Sequence, residues 1–488
     1  MVHQTKQADT HINRLSNLSF CRKLIMLETL MPYLAILIVI LTGWGIVKNL
    51  QVNILLLFAG LALNLLAVLG GVDSILPRGA HTTGWVGFDL FEQLRALSRN
   101  QVSTTGFIIL VAGGFAAYMD KIGASDKLVL TCMKPLSRLK SPYIVLGAVF
   151  ILGHFLGLVV TSAAGLAMLL AVSVYPLLLG IGVSGVAAAA VIASVLVFSY
   201  APSSAIAVLT ANTAGVDPMV YLINHQLPVA VPSIIFTLIL HVCTQYYFDK
   251  KDRAAGIITQ SSSTLSDEKV KRAEKIPGYY ALLPLVPLVL LFTFNKLVYK
   301  TIVLDVATAM FIGWVFAIFV DLATRRDLVA VFKDGAAMFQ GMGHMLTSVV
   351  GLIFVAALFA AGLQNTGLVS LLIEAAKGAG MGMAGTGIVV SIVIGIVTVL
   401  TGSGVASFTG LVPIAPAVAA GLGGDAIDLA MMMQLASEYL RPISPVAGVV
   451  IIVAGFANVS PLAVVRRNLI PCVGGLVFSL AMTIFMML

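Results

Sequence analysis

The sequence predicts an all-α polytopic membrane protein made of two inverted repeats. Each repeat has five transmembrane helices plus one re-entrant helical hairpin, with a broken helix after the hairpin. Three observations lead there. First, 59% of the 488 residues are hydrophobic and 10% are charged, and a mean hydropathy of +1.03 excludes an ordinary soluble domain. Second, apolar stretches of roughly 17 to 25 residues, long enough to cross ~30 Å of hydrocarbon, recur along the chain. Third, one unusual pattern occurs twice. Thr161-Ser162-Ala163-Ala164-Gly165 is followed by Pro202-Ser203-Ser204, and Thr401-Gly402-Ser403-Gly404 by Pro442-Ile443-Ser444-Pro445, with 41 residues from threonine to first proline in both.

Residues 1–30 are polar, carry Lys6, Arg14, Arg22 and Lys23, and read as a poorly ordered N-terminal extension with Met26 or Met31 as alternative starts. They do not read as a signal peptide, because the apolar run after Leu30 is too long and lacks a small-residue cleavage site. The first repeat covers 31–247. Spans 31–47 and 52–70 are unbroken apolar runs separated at Lys48 and Asn49. Phe88 to Arg99 places Phe88, Phe91, Leu94 and Leu97 at helical spacing and reads as an amphipathic helix on the membrane surface. Span 104–119 follows. The stretch 142–178 is too long for one crossing and carries the small-residue tip Thr161 to Gly165 at its middle, so it reads as a hairpin. The stretch 184–213 is apolar but holds Pro202, so it reads as a broken helix, and 226–247 completes the half.

Residues 248–278, polar with mixed charge and Ser261 to Thr264, read as a cytoplasmic linker. The second repeat, 279–488, returns the same order: spans 279–295, 301–322 and 343–364, hairpin 384–420, broken helix 427–455 and span 470–487. Five crossings per half invert the second copy relative to the first. Pro218 and Pro228 recur as Pro461 and Pro471, ten residues apart both times. With the N-terminus outside, 18 of the 29 Lys and Arg fall inside, as the positive-inside rule favours.

Composition also excludes function classes. The net charge of +8 sits in short loops and reads as a topology signal rather than a nucleic-acid surface. Cys21, Cys132, Cys243 and Cys472 are too scattered for a metal site or a disulfide framework. No GxxxxGK[ST] loop is present for ATP-driven pumping, no HExxH helix for a metalloprotease, and no charged rings for a channel.

The chemistry lies at the repeated breaks. Pro202, Pro442 and Pro445 each remove a backbone donor, and a break at membrane depth survives only where protein or an aqueous cavity surrounds it. The half-helices beyond each break start with free amides and partial positive charge, a natural seat for a carboxylate. Thr161, Ser162, Ser203, Ser204, Thr401, Ser403 and Ser444 add hydroxyls, while Ala163, Gly165, Gly402 and Gly404 let backbone approach closely. Arg441 is the lone Lys or Arg left deep in the membrane by this topology. It either pairs with Glu438, three residues earlier on the same face, or meets a substrate carboxylate. Glu438 is alternatively a proton carrier, and His154 a packing residue or proton relay. Asp305 and Asp321 read as interfacial, Asp425 and Asp428 as solvated caps or, alternatively, as closing a cation site.

Segments Gly114 to Met119, Ile122 to Ser125, Thr161 to Leu170, Gln226 to Val229, Thr401 to Gly404 and Ser444 to Val450 resemble, in the same order, those of the DcuC family of anaerobic C4-dicarboxylate carriers, including its DcuD branch. The resemblance covers nearly everything after residue 30. It implies a multi-pass protein of the bacterial inner membrane that moves succinate, fumarate or related dicarboxylates. It further implies a homodimer in the lipid bilayer, with elevator-like motion of the hairpin-bearing domain and the tips and broken helices as substrate site. It implies no cofactor, and it admits a proton or sodium as coupling ion. The chain departs from the family at Ala205-Ile206-Ala207, apolar where some members carry an acidic residue, and at Glu438, which is more acidic than the family norm. Another organic anion, such as a sugar acid, tricarboxylate or amino acid, fits similar geometry. An intramembrane hydrolase using Ser403 with His154 is the rival from another class, although Thr401 stands where a GxSG turn needs glycine.

Overall fold

The computed structural model describes residues 30–46, 48, 50–77, 79–133, 141–255, 274–294, 298 and 301–487. The extension at 1–29 and residues 256–273 of the linker lie outside them. The described residues form helices and no strand. Nine of these helices are long and apolar enough to cross a membrane. Helices satisfy their own backbone hydrogen bonds, which is what hydrocarbon demands of a spanning segment. Large apolar side chains such as Ile40, Trp44, Phe58 and Phe319 are well exposed, as suits a surface solvated by lipid tails.

One compact unit comprises the described residues up to Asn100 together with Phe354–Gly382. Its buried centre is Asn64, whose Nδ2 donates to Gly60 O (2.8 Å) and Leu358 O (3.1 Å). Asn64 Oδ1 accepts from Gln93 Nε2 (3.1 Å) and Asn365 Nδ2 (2.9 Å). Glycines bring these helices together: a Cβ on Gly362 would lie 2.5 Å from Leu63 Cβ, and one on Gly60 2.9 Å from Phe359 N.

The other unit comprises Gln101–Ile353 and Met383–Leu488. Helix Phe107–Lys121 packs on Ala337–Met345 around a cluster that includes Phe115, Tyr118, Met310 and Met338. The helices framing the two sequence breaks are, in chain order, α1 (Pro142–Leu156), α2 (Ala163–Ser173), α3 (Gly185–Ser194), α4 (Ala205–Thr213), α5 (Leu227–Ala254), α6 (Met383–Thr401), α7 (Gly404–Leu411), α8 (Ala426–Tyr439), α9 (Gly448–Ala457) and α10 (Pro461–Met486).

Two interrupted helices cross here. α3 packs on α9 while α4 packs on α8, so the two chains pass the crossing in opposite directions with their interruptions level. The flanking helices repeat that exchange: α2 packs on α3 and α9, and α7 packs on α8 and α4. α5 and α10 run antiparallel along each other. Phe236 stacks on Phe478 (4.4 Å) at one point, and Gln245 Nε2 donates to Arg467 O (3.1 Å) further along.

A buried ion pair ties the start of α3 to both long helices. Arg467 Nη1 donates to Asp249 Oδ1 at 2.7 Å, and Nη2 to Asp252 Oδ2 at 2.6 Å. Asp249 also accepts from Ser184 Oγ (2.6 Å), Ser184 N (3.2 Å) and Tyr143 OH (3.2 Å). Ser184 in turn caps α3 by accepting from Ala187 N. Arg467 thereby holds the first half of one broken helix onto the α5–α10 pair.

Candidate functional site

The first break runs over residues 195–204, between α3 and α4. Pro202 has no N–H to continue a helix, and Ser203 and Ser204 are buried beside it. Buried backbone groups released by such a break must find partners. They find them on the other broken helix and on Gln226, just before α5. Ser199 N donates to Glu438 Oε2 (3.0 Å), Ser199 O accepts from Gln434 Nε2 (3.1 Å) and Gln226 Nε2 (2.8 Å), and Leu196 O accepts from Arg441 Nη2 (2.9 Å). Gln434 Oε1 accepts from Thr210 Oγ1 (2.9 Å) and Tyr221 OH (2.8 Å), so this amide fastens α8 both to the break itself and to α4 and Tyr221 beyond it.

The second break contains a short 3-10 turn, Arg441–Ile443, and non-helical residues 444–447 before α9. Pro442 and Pro445 bracket Ser444, whose Oγ donates to Val399 O (2.7 Å) near the end of α6. Pro442 O accepts from Asn468 Nδ2 (3.4 Å) on α10.

The second tip lies directly on the second break. Gly402 has φ +72°, and a Cβ there would sit 2.7 Å from Ala447 N and 2.8 Å from Val446 C. A Cβ on Gly404 would sit 2.5 Å from Ser437 O. Thr401 Oγ1 donates to Val397 O (2.8 Å), and Ser403 caps α7 by accepting from Ala406 N (3.2 Å). In the first tip, Ser162 caps α2 by accepting from Gly165 N (3.2 Å), with Ala163 as the first helical residue. A Cβ on Gly165 would meet only Ser162, so no second element presses on it. Thr161 lines a cavity of ≈ 20 Å³ together with Pro202 and Ser203, which places the first tip against the first break. That volume suffices for about one water.

The two titratable residues singled out by sequence part company. Glu438 is fully buried, and its Oε1 has no partner among the described residues. Glu438 and Arg441 form no ion pair with each other: one holds Ser199, the other Leu196, three residues apart in the first break. Helical spacing puts them on one face, but the partners are set by the backbone crossing that face. His154 is buried on α1, its Nδ1 shares a hydrogen bond with Phe150 O (2.9 Å), and its ring stacks parallel to Tyr200 of the first break at 6.4 Å. Its Nε2, like Arg441 Nε, has no partner among the described residues.

Gln434, Gln226 and Ser199 escaped sequence reasoning. A signal existed for the first: Gln434, Glu438 and Arg441 fall at i, i+4 and i+7, a polar stripe on one face of a largely apolar run.

A profile of the C4-dicarboxylate anaerobic carriers, DcuC, matches residues 31–488. The probable anaerobic C4-dicarboxylate transporter DcuC of Vibrio cholerae is 34% identical over 453 residues, 93% of this chain and 96% of that protein. The anaerobic C4-dicarboxylate transporter DcuC of Escherichia coli K12 is 30% identical over 458 residues, 94% and 97% of the two chains. Among solved structures, the Alcanivorax borkumensis YdaH transporter aligns with a TM-score of 0.60 at 18% identity, over 89% of this chain and 98% of its own. Neisseria gonorrhoeae MtrF, titled as an antimetabolite efflux pump, aligns with a TM-score of 0.59 at 14% identity, over 91% and 96%. At these identities the two structures speak to the fold.

Proposed function

The chain belongs to the DcuC family of anaerobic C4-dicarboxylate carriers, and from that premise we propose that it carries succinate, fumarate or a close relative by secondary active transport across the bacterial inner membrane. It is a multi-pass membrane transporter of C4-dicarboxylates and not an enzyme. The carrying observation is the crossing of two interrupted helices at their breaks, each break with a hydroxyl-bearing tip against it.

A dicarboxylate carries two negative charges, and four helices begin at this crossing: α2, α4, α7 and α9. Ser162 and Ser403 cap α2 and α7, but Ser204 and Ala447 give no side-chain cap to α4 and α9. The first-turn amides of α4 and α9 are therefore the donors offered to the two carboxylates. Thr161, Ser203, Thr401 and Ser444 border the same breaks and supply hydroxyls, with Arg441 neutralising charge. The partnerless Oε1 of buried Glu438 makes it the leading carrier of a coupling proton, with His154 Nε2 the second.

The reciprocal packing of α2, α3 and α4 with α7, α8 and α9 supports reading 31–247 and 279–488 as inverted repeats, with 142–178 and 384–420 as re-entrant hairpins. Both hairpins and both broken helices belong to one compact unit, which supports an elevator-like movement of that unit as a body within a homodimer.

The test is fumarate-driven exchange of labelled succinate in proteoliposomes, with and without sodium and with a proton gradient imposed or collapsed. Saturable exchange is expected, and its ion dependence names the coupling ion as proton or sodium. Competition by unlabelled sugar acids, tricarboxylates or amino acids, but not by C4-dicarboxylates, would overturn the substrate.

A further inference from the structure

Outside the crossing, α1 and α5 enclose an apolar groove of ≈ 860 Å³. Ile144, Gly147, Ile151 and Phe155 from α1 face Leu238 and Cys243 from α5 across it. Gly147 forms part of its floor, where a Cβ would already touch Leu238 Cδ1 at 3.1 Å and Val242 Cγ2 at 3.3 Å. From Tyr143 to Phe155 the groove follows 13 residues, or 12 helical rises, roughly 18 Å at 1.5 Å per residue. One leaflet of a ~30 Å hydrocarbon core is about as deep.

The two ends of the groove differ in chemistry. At one end Tyr143 and Tyr246 meet edge to face at 5.2 Å, the amphipathic pair expected at the level of lipid headgroups. Beyond them, Lys250 and Arg253 continue the face of α5 that carries Cys243 and Tyr246, spaced by three or four residues, and both are exposed. Arg253 spends one nitrogen on Gly182 O (2.5 Å). The far end, at Phe155 and Leu238, is apolar throughout. An apolar slot one leaflet deep, rimmed by two tyrosines and then by two cations, matches a molecule with a hydrocarbon chain and an anionic head.

We propose that the α1–α5 groove binds one acyl chain of an anionic glycerophospholipid whose phosphate is held at Lys250 and Arg253. This inference requires only that the chain sits in a bilayer and is independent of the transported substrate.

The purified full chain, delipidated in detergent, is incubated with phosphatidylglycerol or with phosphatidylcholine of the same acyl chains. Two readouts are taken: lipid retained in native mass spectrometry, and the alkylation rate of Cys243, an exposed thiol in the groove. Phosphatidylglycerol is expected to be retained at least fivefold over phosphatidylcholine and to slow Cys243 alkylation at least fivefold. Ala148→Phe, which fills the groove, should cut retention about tenfold, and Lys250→Gln should bring retention of the two lipids within twofold of each other. Unchanged Cys243 reactivity with phosphatidylglycerol, or equal retention of both lipids by the unmodified protein, would overturn the proposal. So would an Ala148→Phe protein that shifts between monomer and dimer at unchanged lipid retention, which would give the groove to a second copy of the chain. Should Ala148→Phe not fold, Cys243 kinetics and Lys250→Gln decide.

Discussion

Replacing Gly402 by alanine separates the two demands placed on the second tip. Gly402 and Gly423 share nearly the same left-handed conformation, φ +72° and +73°. An alanine at either position carries a similar backbone penalty of ~1 to 2 kcal/mol. They differ in surroundings: a Cβ at Gly423 meets nothing within 4 Å, whereas one at Gly402 falls 2.7 to 2.8 Å from Ala447 N, Ala447 Cα and Val446 C. These are backbone atoms and cannot rotate away, so tip and break must separate by several tenths of an ångström. Overpacking of this kind costs a further ~1 to 3 kcal/mol. If that cost falls on the tip-to-break contact that transport uses, then at ~1.4 kcal/mol per tenfold Gly402→Ala should fall about 5- to 150-fold below Gly423→Ala. The assay is succinate exchange in proteoliposomes, compared as kcat/KM at matched amounts of monodisperse protein. If the two variants agree within twofold, contact of tip and break does not set transport, and the site would have to be sought elsewhere.

Other residues yield sharper or simpler tests. Glu438→Gln keeps an oxygen for Ser199 N but cannot release a proton; it is expected to abolish stimulation of uptake by an imposed proton gradient while exchange stays within about threefold, and persistent stimulation would remove Glu438 as carrier. Thr161→Ala and Ser403→Ala are each expected to lower exchange at equal protein levels; for Ser403 the lost helix cap adds ~0.5 to 2 kcal/mol of destabilisation, visible as a lower melting temperature. Normal exchange in both would clear the tips of a substrate role. Asp249→Asn leaves buried Arg467 without its closest buried partner and should destabilise by ~3 to 5 kcal/mol, against a much smaller effect of Asp252→Asn, whose carboxylate is 39% exposed. Equal melting temperatures for these two variants would contradict the anchoring of α3.

Much of the crossing was legible because its chemistry is local. Pro202 and Pro442 lack an N–H whatever surrounds them, so a helical run through either must lose a hydrogen bond. Ser162 and Ser403 stand where apolar helices begin, and each caps the helix that follows it. Membrane-grade hydrophobicity needs no partner to be recognised either. Of the two readings of Arg441, the pair with Glu438 does not form, for the opposite reason: spacing along a helix shows which side chains share a face, not what that face meets.

The sequence by itself determined an all-helical membrane chain, the positions of its helix breaks and the small residues at its tips. Each follows from a property of the residue concerned: a missing donor, a missing Cβ, a cost of placing polar groups in lipid. Only the tertiary structure decided that Leu196 and Ser199 are held by Arg441, Glu438 and Gln434, some 240 residues further along, and that Phe354–Gly382 gathers with the described residues before Gln101. A backbone group freed by a break accepts any suitable donor or acceptor in reach. Which one reaches it depends on the helix that crosses there, and that is a property of packing.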